Sequence, residues 1–364
     1  MSIIIFIIIL AVLIFVHELG HFVVAKKSGI RVDEFGLGFP PKIFAKKIGE
    51  TTYTLNAIPF GGFVKIFGED SHTEEISDAD KSTSFLYKPK WVQASVLIAG
   101  VTSNIIFAWL LISLGFMIGL PSSMNYLSSE KNGDTSLVIT EVLPNSPAQK
   151  AGLVSEDKII SISSGVEALQ GKDLTPENIR KVIGESKGEV EVTYNRGNLA
   201  SAIIFVKPEN DSTLGSKAIG IVMDSGVIKL PIHLAFIEGA NTTWILTKGT
   251  TVGLVGFLWK TITFKSDFSQ VAGPVGIAKI VSQANDLGFM YILFLVALIS
   301  INLAVINLLP FPALDGGRLL FVGIEAIIRK PIKPAVVQWA NGIGFAFLII
   351  LMLVITGHDI FKLL

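Results

Sequence analysis

Apolar residues are unevenly spread along the chain. Ile3 to Val16 is an unbroken apolar run, and a weakly polar stretch carries it on to Ala25. Three further long apolar stretches follow, Val92–Gly119, Gly288–Leu309 and Ala335–Ile355. Each is close to the roughly 20 residues that a helix needs to cross about 30 Å of hydrocarbon. The pattern predicts four membrane spans, at residues 1–25, 91–119, 288–310 and 335–356. The first is not read as a cleavable signal peptide, because it lacks a basic start, its apolar part is too long and no small-residue cleavage site follows.

Between the spans the pattern changes. Residues 26–90 contain an alternating run at Thr51–Leu55 and a second run, Phe63–Phe67, after Gly61-Gly62, with Pro40-Pro41 and Pro59 bounding them. This predicts a small β-hairpin or sheet, followed by an acidic, Ser/Thr-rich loop at 69–84. Residues 126–228 have the texture of a soluble α/β domain. Short β-rich runs occur at Leu137–Val142, Lys158–Ile162, Val190–Tyr194, Ala202–Val206 and Ala218–Met223, and Thr175-Pro176-Glu177 marks a helix start. Residues 229–287 are expected to form an amphipathic helical segment. Within it, 231–264 carry His233, Glu238, Lys248 and Lys260, which favours a surface-lying helix pair over the alternative of a fifth span. Residues 311–334 are expected to be a loop.

Composition supports this division. Of 364 residues, 50% are hydrophobic and 16% charged, against about 25% charged in soluble domains. Mean hydropathy is +0.61. An ordinary soluble enzyme and a disordered chain are both disfavoured. The 30 basic and 30 acidic residues cancel, so no basic field points to nucleic acid. The absence of cysteine removes disulfides, thiolate-ligated metal and thiol catalysis. The basic residues are placed asymmetrically. Residues 26–90 hold ten Lys/Arg, and residues 311–334 hold Arg318, Arg329, Lys330 and Lys333. By the positive-inside rule both loops face the cytoplasm, and the 126–228 domain is extracytoplasmic.

Charge within the spans is more selective still. The last three contain no Asp, Glu, Lys, Arg or His within their apolar stretches, whereas the first contains His17, Glu18 and His21. Each charge at membrane depth costs at least about 2.5–3.5 kcal/mol on insertion scales, so three in five residues need a partner. Positions i and i+4 share a helix face, so His17 and His21 can present their imidazoles to one cation. Glu18 projects beside them, placed for proton transfer. His17-Glu18-Leu19-Gly20-His21 is the H-E-x-x-H arrangement of zinc proteases, in which zinc brings the pKa of a bound water to about 7. A structural His–Glu network or a proton relay is the alternative.

Catalytic zinc takes three protein ligands and leaves one position open. His72, His233 and His358 are poorly placed for the third. The span at 288–310 runs in the same direction as the first and ends in Asn307-Leu308-Leu309-Pro310-Phe311-Pro312-Ala313-Leu314-Asp315-Gly316-Gly317. The prolines break the helix, and Gly316-Gly317 permit a tight turn. Asp315 is the first acid after the apolar stretch, on the correct side of the membrane, and is the candidate third ligand.

These residues resemble the site-2 protease family of intramembrane zinc metalloproteases, and most closely its regulator-of-sigma-E type. The H-E-x-x-H at 17–21 pairs with an N-x-x-P-x-P-x-L-D-G motif running from Asn307 to Gly316. Phe35–Gly38 and Ala57–Lys65 look like the family's membrane-associated β-hairpin. Ala99-Gly100-Val101-Thr102-Ser103-Asn104 resembles its second-span motif, and Ala272–Ile277 a segment before the third span. Val138–Ile162 looks like a PDZ domain. The resemblance implies that His17, His21 and Asp315 bind zinc and that Glu18 is the catalytic acid/base. It further implies that Asn307 positions the substrate and that Gly61, Gly62, Phe63 and Val64 pair with an unwound substrate strand.

The expected protein is therefore a multi-pass α-helical membrane protein with four transmembrane helices. It carries a cytoplasmic-side membrane-associated β-hairpin or sheet and one extracytoplasmic PDZ domain, where close relatives often carry two. Expected partners are transmembrane protein substrates, such as anti-sigma factors or remnant signal peptides, together with membrane lipid and a possible peptide ligand at the PDZ domain. The expected location is the bacterial inner membrane. A catalytically inactive PDZ-bearing scaffold is the rival from another class. A metal- or proton-coupled transporter is a weaker one, since no inverted repeat is visible.

Overall fold

The computed structural model describes residues 2–69, 77–78, 80–121, 137–165, 167–196, 201–211, 216–224, 227–263 and 273–362. Helix α1 (Ser2–Lys27) continues without interruption through the charged cluster. Strands β1 (Val32–Ile48) and β2 (Thr51–Ile66) follow as an antiparallel pair. Their register is unusual. Lys42–Ile48 pairs with Thr51–Asn56, while Glu34–Leu37 pairs both with Thr52–Leu55 and with Gly62–Lys65. Two long bent strands thus make four segments, in the order 42–48, 51–56, 32–39 and 62–66. Among the described residues no strand pairs with the outer edge of 62–66.

Helix α2 (Lys90–Ile118) leads into a β-rich region. It comprises β3 (Leu120–Pro121), β4 (Leu137–Val142), α3 (Pro147–Ala151), β5 (Lys158–Ser163), β6 (Ala168–Gln170), α4 (Pro176–Glu185), β7 (Val190–Asn195), β8 (Ala202–Val206), β9 (Glu209–Asp211), β10 (Ser216–Ala218), β11 (Ile221–Asp224) and β12 (Val227–Ile228). The chain ends in α5 (Ile232–Ile262), α6 (Pro274–Leu287), α7 (Phe289–Asn307), α8 (Asp315–Ile328) and α9 (Pro334–Phe361). Four helices, α1, α2, α7 and α9, are long and apolar enough to cross a membrane, and they coincide with the four expected spans.

The chain divides into two compact units, Met1–Leu114 with Phe236–Leu364, and Gly115–Ala235. In the second, an antiparallel sheet has the order β11-β4-β5-β7-β8, with β6 paired to β5. Its core is apolar: Leu137, Ile139, Ile159, Ile162, Ile179, Val190 and Val192 are almost fully buried. Thr175 caps α4 by accepting a hydrogen bond from the Asn178 amide, with Pro176 at the first helical position. This is the helix start predicted from Thr175-Pro176-Glu177. The five predicted strand runs all contain strand residues.

In the first unit, α1 packs through Phe6, Ile9 and Leu13 on Val281 of α6. Its C-terminal end joins Ala25 to a cluster with Ile30, Val32, Ile66, Val92, Val96 and Val322. Here the structure departs from the sequence reading. Residues 315–328 are helical, not loop, because Val322 and Leu319 pack into that same cluster. Gly316 and Gly317 are not the turn; they are first-turn residues of α8. A Cβ on either would lie 2.2 Å from a backbone carbonyl of the preceding loop, that of Leu309 for Gly316 and that of Phe311 for Gly317. The left-handed residue that turns the chain is Ala313, at φ +72°.

The amphipathic expectation for 229–287 also needs revision at α5. Its exposed side carries Ile237, Trp244, Val252, Val255 and Trp259, while Ala235, Thr242 and Thr243 are buried. Its exposed positions mix these large apolar residues with Asn241, Lys248 and Lys260, and its buried positions are small, so it does not divide into an apolar buried face and a polar exposed one. Asp359, near the end of α9, went unremarked in the sequence. It is buried, and its Oδ2 accepts the Gly273 and Gly276 amides at 2.9 and 2.8 Å, satisfying donors at the start of α6.

Candidate metal centre

The helical spacing of His17 and His21 puts both rings on one side of α1, and both are 7% exposed. Asp315, in the first turn of α8, brings its carboxylate to them. His17 Nε2 lies 2.9 Å and His21 Nε2 3.3 Å from Asp315 Oδ2, and the two nitrogens are 3.3 Å apart. On a tetrahedral zinc with bonds of about 2.0–2.2 Å, ligand atoms stand about 3.3–3.6 Å from one another. Two of the three distances match, and the 2.9 Å separation is that of a direct hydrogen bond. Three electron-pair donors aimed at one point are the chemistry of a cation site, so the donor set fits zinc.

The neighbours hold these three side chains in place. His21 Nδ1 is 2.8 Å from the Val96 carbonyl; that bond puts the proton on Nδ1 and leaves the Nε2 lone pair facing the centre. Asn104 lies 3.2 Å from His17 Nδ1. The Ser103 hydroxyl donates to the Val16 carbonyl at 2.8 Å, tying α2 to α1, and the Ser300 hydroxyl donates to the Asn104 carbonyl at 2.8 Å, tying α7 to α2. Close approach of α1 and α2 requires glycine at two positions. A Cβ on Gly20 would meet the Ala99 carbonyl oxygen at 2.4 Å, and one on Gly100 would lie 2.3 Å from His21 Nε2. Gly100 therefore keeps open the space in front of His17 and His21.

The other predicted residues are near by. Asn307, the last residue of α7, has its Nδ2 3.5 Å from His17 Nε2. Glu18 is half-buried beside β2: a Cβ on Gly62 would be 3.6 Å from Glu18 Cγ and 3.5 Å from Ile14. The edge segment 62–66 thus begins beside Glu18. Gly61 takes φ +103°, a conformation that favours glycine. Neither His233 nor His358 belongs to the cluster of His17, His21 and Asp315; His72 and Ala272 lie outside the described residues.

Comparison with known proteins adds an independent line. A sequence profile described as peptidase family M50 matches residues 5–351. The chain belongs to peptidase family M50. It is accordingly a metalloprotease, with the cluster inside the matched region. The peptidase is 31% identical to the regulator of sigma-W protease RasP of Bacillus subtilis over 442 aligned positions, covering all of this chain and 99% of that protein. It is 30% identical to the zinc metalloprotease RasP of Bacillus licheniformis, covering all of this chain and 99% of that protein. A protein of Clostridium perfringens that carries a zinc metalloprotease name is 35% identical over 359 residues, 96% of this chain and 95% of its own.

Sequence reasoning missed Gly100 as a spacer and Val96 as the partner of His21. Gly100 stood inside the second-span motif, but its role depends on which face of α2 meets α1. Val96 acts through its backbone carbonyl, which leaves no trace in residue type.

Proposed function

We propose that this peptidase is an intramembrane zinc endopeptidase that cuts transmembrane segments of single-span proteins near the cytoplasmic side of the bacterial inner membrane. The observation that carries the reading is the convergence of His17, His21 and Asp315 at 2.9–3.3 Å beside Glu18, with both histidines on a helix long enough to span a bilayer and Asp315 just after the end of another. His17, His21 and Asp315 would hold the zinc. When bound, zinc supplies a Lewis acid and an acidified water. Glu18 takes the proton of the attacking water and passes it to the leaving amine. Asn307, at hydrogen-bond range of the cluster, orients the scissile carbonyl. The edge at 62–66, unpaired among the described residues, offers backbone groups to an unwound substrate strand. Unwinding is needed because a helical peptide bond is held within its own hydrogen-bond ladder.

The basic loops on either side support a cytoplasmic placement of the cluster. Single-span regulators of sigma factors are the substrate class consistent with the name of the Bacillus subtilis relative, and remnant signal peptides share the same chemistry. The sheet and helices of residues 126–228 are read as one extracytoplasmic PDZ domain. It filters substrates by size or binds a peptide end. The test is Glu18→Gln in purified protein with a single-span substrate. Cleavage is expected to fall by about 10²–10⁴-fold with zinc retained, and undiminished cleavage overturns the mechanism. The inactive-scaffold alternative has no observation in its favour beyond the β-rich domain itself.

A further inference from the structure

The two histidines of the cluster are not supported alike. His21 has its Nδ1 on a backbone carbonyl, a group that can only accept, so its ring is held in the tautomer that offers Nε2 to a cation. His17 has its Nδ1 on the side chain of Asn104, whose amide nitrogen lies 3.2 Å away. Asn104 is completely buried, and among the described residues its Oδ1 has no hydrogen-bond partner. A buried carboxamide oxygen left unpaired is costly, because the hydration it gave up is not replaced.

The arrangement is consistent for a centre without a cation. His17 then carries its proton on Nε2 and donates to Asp315 Oδ2 at 2.9 Å, while its Nδ1 accepts from the Asn104 amide. It is inconsistent once Nε2 ligates a metal. The proton must then reside on Nδ1, where it faces another donor, and among the described residues no other group is within hydrogen-bond range of His17 Nδ1. An asparagine amide solves this by turning over about its Cβ–Cγ bond, which exchanges oxygen for nitrogen.

We propose that Asn104 is the positioning residue of His17. In the metal-loaded protein its Oδ1 accepts the His17 Nδ1–H and holds the ring with Nε2 toward the metal. The proposal rests on the metal-centre reading above. It assigns Asn104 the role for His17 that the Val96 carbonyl has for His21. The difference is that this acceptor is a side chain and can be changed by mutation. Outer partners of metal-bound histidines alter metal affinity by about 10- to 100-fold.

The test is zinc affinity of the full-length protein in detergent or nanodiscs, by competition with a chelating dye, with thermal melting as the check on folding. Asn104→Leu, of similar shape without an acceptor, is expected to bind zinc about 10- to 100-fold more weakly. Asn104→Asp, which accepts but does not donate, is expected to bind at least as tightly as wild type. Wild-type affinity in Asn104→Leu, or equal losses in both variants, overturns the proposal. If Asn104→Leu does not fold, Asn104→Asp decides alone, and a tenfold loss in it is contrary. Asp315→Ala is measured beside them. If it binds zinc like wild type, the metal-centre reading itself fails, and the proposal with it.

Discussion

The two units sort their residues by opposite rules. In the unit at 115–235, Ile162, Ile179 and Val192 are fully buried or nearly so, and hydroxyls such as Ser146 and Thr175 cap helices. That is how a water-soluble domain is built. In the other unit, large apolar residues such as Trp339, Ile343, Ile350 and Leu353 are exposed, while His17, His21, Gln93, Asn104 and Ser300 are buried. Apolar surface there gains nothing by burial in protein if its surroundings are lipid, so burial is available for polar groups. Each such group then needs a partner, and the partners are backbone carbonyls or one another: His21 on the Val96 carbonyl, Ser300 on the Asn104 carbonyl, Gln93 on the Leu86 and Lys88 carbonyls, and both histidines on Asp315. Some of these buried polar residues are structural, as Gln93 and Asp359 are, but the set that gathers His17, His21 and Asp315 has no counterpart among the described residues of the other unit.

The comparison breaks most sharply at Gly100. Its missing side chain leaves the room that the ligands occupy, so Gly100→Ala is expected to weaken zinc binding by about 100-fold or more, as a Cβ displaces an anchored histidine. Zinc content after dialysis checks this. Normal loading would mean that the centre tolerates a shifted His21. A large effect in the other unit should leave the centre alone. Ile162→Ala removes a fully buried side chain of the sheet core and is expected to cost about 2–5 kcal/mol, read by hydrogen exchange in β5 and β7. Zinc affinity is expected to stay unchanged, and a loss would show that the two units do not follow separate rules.

The smallest expected effect lies in the four-segment sheet. Burial alone would raise the Glu34 pKa, but hydrogen bonds from Lys42 and Thr54 outweigh it and hold the carboxyl below its ordinary range. A lowered folded value means that this contribution is complete above the ordinary glutamate pKa and is lost as pH falls through the folded value. The protection of amides near Phe35 and Thr54, taken relative to their intrinsic exchange rates, should fall at acid pH, and Glu34→Gln should flatten that dependence. The same acid sensitivity in the variant would assign it to another group.

Much of this was legible in the sequence because the signals are local or topological. Four apolar stretches announced four long helices, and the i, i+4 spacing of His17 and His21 announced a shared face. Asp315 followed from the direction of its span. The misses have a common cause. The pairing of 34–37 with two separate parts of β2 is set by long-range register, which alternation within one run does not encode. Helix α8 begins Asp315-Gly316-Gly317, residues poor in helix propensity, and is held by packing of Val322. Gly100, Val96 and Asn104 acquire meaning only when α1 and α2 are placed side by side.

The central claim is that His17, His21 and Asp315 jointly hold zinc. X-ray absorption at the zinc edge of the purified protein tests it most directly. The account predicts one zinc per chain with two imidazole nitrogens and a carboxylate oxygen at about 2.0–2.2 Å, and loss of that signature in Asp315→Ala. An unchanged coordination shell in that variant, or no tightly bound zinc in the wild type, would contradict it.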